Sequence, residues 1–388
     1  MDKPRLIRIT TIPLSLFSLL KGQLKFMKTY FDVLAVSSDG AYIQNVRDNE
    51  GVPVLTVEMT RTISPIKDLK AVWSLYKIFK KEKPLIVHTH TPKAGTTGML
   101  AAKLAGVPYR FHTIAGLPLL EVKGAKRKLL DLVEKATYAC ATNIYPNSFE
   151  LKDIILKNKY TSPKKLKVIG NGSSNGIDTN HFDPSLFADE QLTNFRNTLK
   201  ISKNDFVFVF VGRLVGAKGI NEMVEAFKTL APEYNAKLIL VGPFEPELDP
   251  LSSQTLKDIE ENPNIISCGF IKDVRPYFAI SDVLLFPSYR EGFPNVVMQA
   301  GAMGLPSIVS NINGCNEIIV DGENGIIIPV KNSEALLEAM LKLINNYELY
   351  SKLKSNSRKM IVDRYEQNLV WEAILNEYRL VTGEELAN

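Results

Sequence analysis

The sequence predicts an α/β protein built from two successive doubly wound domains. Three observations lead there. Strand-like apolar runs alternate with helix-patterned segments along most of the chain, as in a parallel sheet covered by helices. The alternation is interrupted by the stretch 171–189, rich in Asn, Gly, Ser, Asp and Pro, which reads as an exposed linker. Charge divides near the same place. Residues 1–180 carry 28 Lys and Arg against 14 Asp and Glu, a net of +14, whereas 181–388 carry 19 against 28, a net of −9.

In order, the first half offers strand candidates at 6–12, 32–37, 53–58, 85–90, 109–114, 143–147 and 166–169. Helix patterns lie between several of them, at 66–81 and 124–140. The segment 14–31 is also helix-patterned, with Lys21, Lys25 and Lys28 spaced along one face and Leu16, Leu20, Leu24 and Phe31 beside them. Two readings stand for it: a first helix packed on its sheet, or a basic face resting on an anionic membrane. The second half repeats the scheme, with strands at 206–211, 237–241, 265–268, 283–286, 307–309 and 326–330. A final helix pattern spans 369–381. The expected organisation is a first domain over 1–180, a second over 181–367 and a C-terminal helix over 368–388.

Length and composition fit this frame. A chain of 388 residues suffices for two full cores, and 45% hydrophobic with 23% charged residues is the balance of a globular protein. The apolar run 12–20 holds Pro13 and two serines and is too short to span a bilayer. No small-residue cleavage site follows it, so a cleaved signal is not expected. Cys140, Cys268 and Cys315 are scattered and odd in number, which fits a reducing, cytoplasmic compartment and buried packing. The basic first half suits an anionic partner, yet it holds no nucleic-acid-binding motif, and no nucleic acid is expected.

The chemistry concentrates at strand ends. Val283–Phe286 reads as a buried strand, followed by the loop PSYREGFP and a helix from Asn295 to Met303, with Asn295 as its N-cap. Glu291 therefore lies between a strand's C-terminal end and a helix N-terminus, where ligands bind in open α/β sheets. Its carboxylate suits hydrogen bonds from sugar hydroxyls beside a phosphate. Upstream, FVFVFVGRLVGAKGI places Gly212, Arg213 and Lys218 after another buried strand. Arg supplies a planar fork and Lys a compact charge, a pair suited to a diphosphate.

Together these stretches resemble a known family. EGFPNVVMQAGAMGLP is similar to the signature of the family-4 retaining glycosyltransferases, which have the GT-B fold, and GRLVGAKG is similar to their diphosphate-binding loop. VHTHTPKAG, NGSSNGID and SNINGCNEI extend the likeness over both domains. The resemblance implies two Rossmann-like domains facing across a cleft, with the last helix crossing back to the first. It implies transfer of a sugar, with retention, from a nucleoside diphosphate sugar, UDP-linked, to a glycan or polyprenyl-diphosphate-linked acceptor. Arg213 and Lys218 would hold the diphosphate, Glu291 the donor sugar and Gln299 the ribose. Gly212, Gly242 and Ile271 would line the nucleotide, and the backbone of Gly292, Phe293, Pro294 and Asn295 the sugar. No cofactor or metal is expected, since the chain lacks any Asp-x-Asp. The expected location is the cytoplasm, and the inner face of the cell membrane in the second reading of the segment 14–31.

Three departures accompany the likeness. The second signature carboxylate is replaced by Gln299. A His common before the Gly in the YRFHTIAGLP loop is replaced by Ala115. His112 either acts in its place or is a satisfied core histidine. The first strand-helix turn lacks a Gly-Gly pair, leaving Ser15 to cap the helix. On the acceptor side the candidates are Ser15, His90 and Thr113. Two other functions share these features: a non-hydrolysing nucleotide-sugar epimerase, and a catalytically silent nucleotide-sugar-binding protein.

Overall fold

The computed structural model describes residues 3–60, 64–117, 119, 122–247 and 249–383. It divides into two compact units. One comprises Met1–Gly176 with Gln367–Asn388, the other Ile177–Glu366. The first boundary falls inside the Asn- and Gly-rich stretch.

The first unit runs β1 (Arg5–Ile9), α1 (Pro13–Leu19), α2 (Gln23–Met27), β2 (Asp32–Ser37), α3 (Ile43–Glu50), β3 (Val54–Thr56), α4 (Pro65–Glu82), β4 (Ile86–Thr89), α5 (Pro92–Ala105), β5 (Tyr109–Ile114), α6 (Gly124–Cys140), β6 (Asn143–Pro146) and α7 (Phe149–Lys157). The second runs α8 (Asp189–Thr198), β7 (Phe206–Val211), α9 (Ile220–Leu230), β8 (Ala236–Val241), α10 (Ser253–Glu261), β9 (Ile265–Gly269), α11 (Arg275–Ala279), β10 (Val283–Phe286), α12 (Asn295–Ala302), β11 (Ser307–Ser310), α13 (Cys315–Ile318), β12 (Gly325–Ile328), α14 (Ser333–Asn345) and α15 (Tyr347–Tyr365). The last helix, α16 (Gln367–Thr382), belongs to the first unit. Its Val370, Ile374, Leu375 and Tyr378 join Leu6, Leu16, Leu24 and Phe31 in one buried cluster.

Each unit holds a six-stranded, all-parallel sheet. The orders are β3-β2-β1-β4-β5-β6 and β12-β11-β10-β7-β8-β9. Helices cover both faces, so the strands read as unbroken apolar runs rather than alternating ones. In β7, Val207 to Phe210 are fully buried. Each order reverses once, between β1 and β4 and between β7 and β10. Such reversals open a crevice at the strands' C-terminal ends.

Several local expectations need correction. Residues 166–169 make one bridge, Leu166 to Ile144, and form no strand, being confined between a helical turn at Pro163–Lys165 and Gly170 at φ +57°. The segment 14–31 is two short helices. They break at Gly22, which takes φ +78° with its α-carbon against the Trp371 ring. Leu16, Leu20, Leu24 and Phe31 are core, so this segment is the packed first helix of its sheet. Ser15 does not cap α1; Pro13 sets the first helical φ and Ile12 is the N-cap. Asn295 is the first residue of α12, and Pro294 takes the N-cap position.

Candidate active site

Two loops meet at the reversal of the second sheet. The loop after β7 carries Gly212, Arg213 and a single helical turn at Gly216–Lys218. The loop after β10 carries Ser288 to Pro294. Their backbones touch: the Tyr289 N–H donates to the Ala217 carbonyl at 2.9 Å. Gly219 sits at φ +72°, where an added Cβ would lie 2.2 Å from the Pro287 carbonyl oxygen. Only a glycine permits that approach.

This seam brings Lys218 and Glu291 together. The Lys218 ammonium donates to Glu291 Oε1, across 73 residues of sequence. Both side chains are less than one-fifth exposed, so the pair is screened little by solvent. Ser288 Oγ donates to the same oxygen at 2.9 Å, and the Lys218 ammonium lies 5.4 Å from the centre of the Phe286 ring. Beneath them the Cys315 thiol is fully buried; burial holds its pKa well above the ordinary value, and Glu291 pushes the same way.

The neighbouring loops complete the wall. After β11, the Asn313 amide donates to the carbonyls of Glu291 at 3.1 Å and Gly292 at 2.6 Å. Gly314, at φ +76°, would place a Cβ 2.5 Å from the Gly292 oxygen. These contacts fix the backbone from Gly292 to Asn295. After β8, Gly242 packs on Gly212 so closely that a Cβ would fall 1.7 Å from the Gly212 oxygen. Arg213, half exposed, pairs with Glu245 at 2.7 Å. Asp249 accepts from the Ala217 N–H at 2.6 Å and so caps the turn that carries Lys218. Ile271 is half-buried, next to the exposed Phe270. Gln299 is half-buried on α12, one turn beyond Asn295.

The first unit's reversal is lined by buried polar side chains. Arg8, on β1, is fully buried. It donates to His90 Nε2 at 2.8 Å, to the Tyr378 hydroxyl at 3.1 Å and to the Gln23 amide oxygen. His88 lies between the Tyr378 hydroxyl and Thr113 Oγ1, the latter at 2.7 Å. Burial, reinforced by the Arg8 charge, holds both histidines well below their ordinary pKa. The Thr11 and Thr91 hydroxyls bond each other at 2.7 Å. His112 lies buried in the core, as the second of the two alternatives describes. Its Nδ1 bonds Thr89 Oγ1 at 2.8 Å, its ring lies against Gly95, and burial lowers its pKa to about 4. Ala115 stands three residues further on, past the end of β5.

Lys218 and Glu291, which the sequence reading assigns separate roles, meet at this seam, and Arg213 stands on the same loop as Lys218. That reading misses Ser288, Glu245, Asp249 and Asn313. Only Asn313 had a local signal, the N-G pair with Gly314.

Comparison with known proteins gives the site its family. The description "Glycosyl transferases group 1" matches residues 192–360, and "Glycosyl transferase 4-like domain" matches 28–172. The chain is 35% identical to the capsular polysaccharide biosynthesis glycosyltransferase CapM of Staphylococcus aureus, over 99% of both chains. It is 30% identical to the UDP-Gal:alpha-D-GlcNAc-diphosphoundecaprenol alpha-1,3-galactosyltransferase of Escherichia coli, over 93% of this chain and 91% of that one. In fold it matches Anabaena HepE in complex with UDP, with a TM-score of 0.81 at 18% identity, over 98% of this chain and all of that one. The two Rossmann-like sheets are those of the GT-B fold, and the chain belongs to the family-4-like, group 1 glycosyltransferases.

Proposed function

We propose that this glycosyltransferase moves a sugar, with retention, from a UDP-sugar to a polyprenyl-diphosphate-linked glycan. The Lys218–Glu291 pair at the second unit's reversal carries this reading. It sets a cation for phosphate beside a carboxylate for sugar hydroxyls. The relatives support the choice of substrates: a UDP-sugar and a diphosphoundecaprenol acceptor for the Escherichia coli enzyme, and UDP for HepE.

In this reading Arg213 and Lys218 neutralise the departing diphosphate. The anomeric C–O bond breaks with its electron pair leaving on the phosphate oxygen. The acceptor hydroxyl oxygen bonds the anomeric carbon on the same face, and its proton passes to the leaving phosphate. Preorganised cations stabilise the charge as it develops there. Glu291 orients the sugar hydroxyls, Gln299 the ribose, and Gly212, Gly242 and Ile271 line the nucleotide. The reaction needs no metal, because fixed cations supply the positive charge. The first unit holds the acceptor. An epimerase would instead turn over the donor alone, and the family's transferases argue against it.

The same reading places the enzyme on the cytoplasmic face of an anionic membrane. The face that supports this is formed by α4, α5 and α6, which pack side by side. Ile66, Leu69 and Trp73 on α4 are 72%, 67% and 60% exposed, and Leu104 and Leu132 project from α5 and α6. Those three helices carry eleven Lys and Arg against four Asp and Glu, a net of +7. Helices α1, α2, α3 and α16, on the other face, carry three against four. In the segment 14–31 Leu14 alone among the large apolar side chains is exposed. Exposed Trp and Leu beside lysines is the pattern of an interfacial helix. Among the described residues no helix is long and apolar enough to cross a membrane.

The test is a transfer assay with UDP-sugars and a polyprenyl-diphosphate-linked sugar, read by mass spectrometry with and without EDTA. A product one sugar larger, formed equally in both, is expected. Conversion of the UDP-sugar without acceptor would overturn the reading, and loss of activity in EDTA restored by Mg²⁺ would overturn its metal-free part. Binding to anionic liposomes should fall with Trp73→Glu and Leu69→Glu and persist with Lys21→Glu. Equal partitioning of all forms would remove the α4 face.

A further inference from the structure

The polar group at the first unit's reversal has a fixed direction of hydrogen bonding. A guanidinium has only donors. Because Arg8 donates to His90 Nε2, that nitrogen must be the acceptor of a neutral ring. The proton of His90 therefore sits on Nδ1. The Tyr378 hydroxyl likewise accepts from Arg8, and His88 Nδ1 is the one group among its partners in the described residues that can take its own hydrogen. His88 then carries its proton on Nε2 and donates it to Thr113 Oγ1. Thr113 accepts that bond and keeps its own O–H to give. Gln23 is held the same way: its oxygen faces Arg8, and its amide nitrogen donates to the Ser174 carbonyl at 3.0 Å and to Asn175 Oδ1 at 2.9 Å.

Two donors are left over. His90 Nδ1 is buried and has no partner among the described residues. A buried N–H left unmade is destabilising, and such groups in a native fold call for an explanation. The second is the hydroxyl hydrogen of Thr113. The register that pairs Thr89 with His112 puts His90 and Thr113 side by side, just at the C-terminal ends of β4 and β5. Both belong to the face that holds Arg8, whose three side-chain partners are all neutral groups. A fully buried cation with neutral partners is an expensive way to build a core. It is an effective way to orient donors and to bias them toward an oxygen rich in electrons.

We infer that Arg8 is a positioning residue that fixes opposite tautomers in His88 and His90, so that His90 Nδ1–H and Thr113 O–H are preset donors to an oxygen of the acceptor substrate. The relay to Thr113 passes through Tyr378, so the C-terminal helix is part of the acceptor machinery. The chemistry required of the ligand is an oxygen lone pair, from either a phosphate or a sugar hydroxyl. The inference rests on the reading of the first unit as the acceptor side.

The test uses the full chain with ¹⁵N-labelled histidine. Long-range ¹H–¹⁵N correlation should show His88 protonated on Nε2 and His90 on Nδ1. Reversed or averaged tautomers would overturn the device, with or without substrate. Tyr378→Phe should release His88 from its tautomer while His90 keeps its own. The probes are a farnesyl-diphosphate-linked N-acetylglucosamine and methyl N-acetylglucosaminide. A probe that is held should move the His90 Nδ1 resonance, and its Kd should rise at least tenfold in Thr113→Val and Tyr378→Phe, with Thr113→Ser restoring it. An effect on the diphosphate probe alone identifies phosphate as the partner; an equal effect on both identifies the sugar. Unchanged Kd in the variants, or an unmoved His90, would overturn the contact. UDP binding should be the same in every form; its loss in the wild type would count against the donor site instead.

Discussion

At the scale of single residues, the site depends on an ion pair that needs both partners. Lys218→Ala should lower turnover by on the order of a hundredfold, and Arg213→Ala should do the same where phosphate charge develops. Glu291→Gln, which keeps shape and loses charge, should weaken donor-sugar binding and leave UDP affinity near wild type. Turnover and UDP titrations check all three; unaltered kinetics in any one would remove that residue from the site. Gln299→Glu is a milder case. A neutral amide contributes about 0.5–1.5 kcal/mol in a hydrogen bond and a charged partner about 1.5–3. The substitution should retain activity and shift donor affinity by roughly tenfold at most. Glu291, Arg213 and Lys218 could each be placed from sequence because they sit in loops at the C-terminal ends of apolar strands, where ligands bind in open α/β sheets. Their pairing could not, since Lys218 and Glu291 lie 73 residues apart and meet only through the sheet order.

At the scale of elements, glycines set how closely the loops approach. Gly219→Ala combines a left-handed φ of +72° with a contact of 2.2 Å to backbone, which cannot rotate away. Strain of this kind costs about 1–3 kcal/mol. The expected result is lower stability of the second unit together with weaker UDP binding, since the loop must move and carry Lys218 with it. Gly322→Ala is the control: φ is +73°, but nothing lies within 4 Å of the added atom, so UDP binding should be unchanged. Strand and helix identities were largely legible, because parallel strands buried on both faces are continuous apolar runs. The exceptions were the ends and breaks. Helix α1 starts at Pro13 rather than being capped by Ser15, and the break at Gly22 depends on Trp371, some 350 residues away in the chain.

At the scale of the molecule, the two units should respond differently to acid. The chain has four histidines, and His88, His90 and His112 lie buried in the first unit. All three have folded-state pKa values below the unfolded value of about 6.5. The unfolded chain therefore binds more protons as pH falls, so stability is full above about 6.5 and declines below it. For His112, lowered to about 4, the loss at pH 5 is roughly 2 kcal/mol, and the other two act in the same direction. Thermal unfolding at pH 7.5 and pH 5 should show the first unit's transition moving down much more than the second's. Equal shifts would mean that these histidines are not buried neutral.

By itself the sequence determined the two parallel-sheet units, the strand ends that carry Arg213, Lys218 and Glu291, and the kinship with sugar transfer. The first two follow from local pattern, apolar runs with loop-forming glycines and charges next to them; the kinship rests on the resemblance of EGFPNVVMQAGAMGLP and GRLVGAKG to a family signature. Tertiary structure decided what depends on neighbours distant in sequence. It turned the 14–31 segment into core and put exposed apolar side chains on α4. It buried His112 against Gly95, and it joined Arg8, His90, His88 and Tyr378 into one directed network. The physical reason is the same each time. Burial and hydrogen-bond direction are properties of the space around a side chain, and in a doubly wound sheet that space is filled by strands and helices from remote parts of the chain.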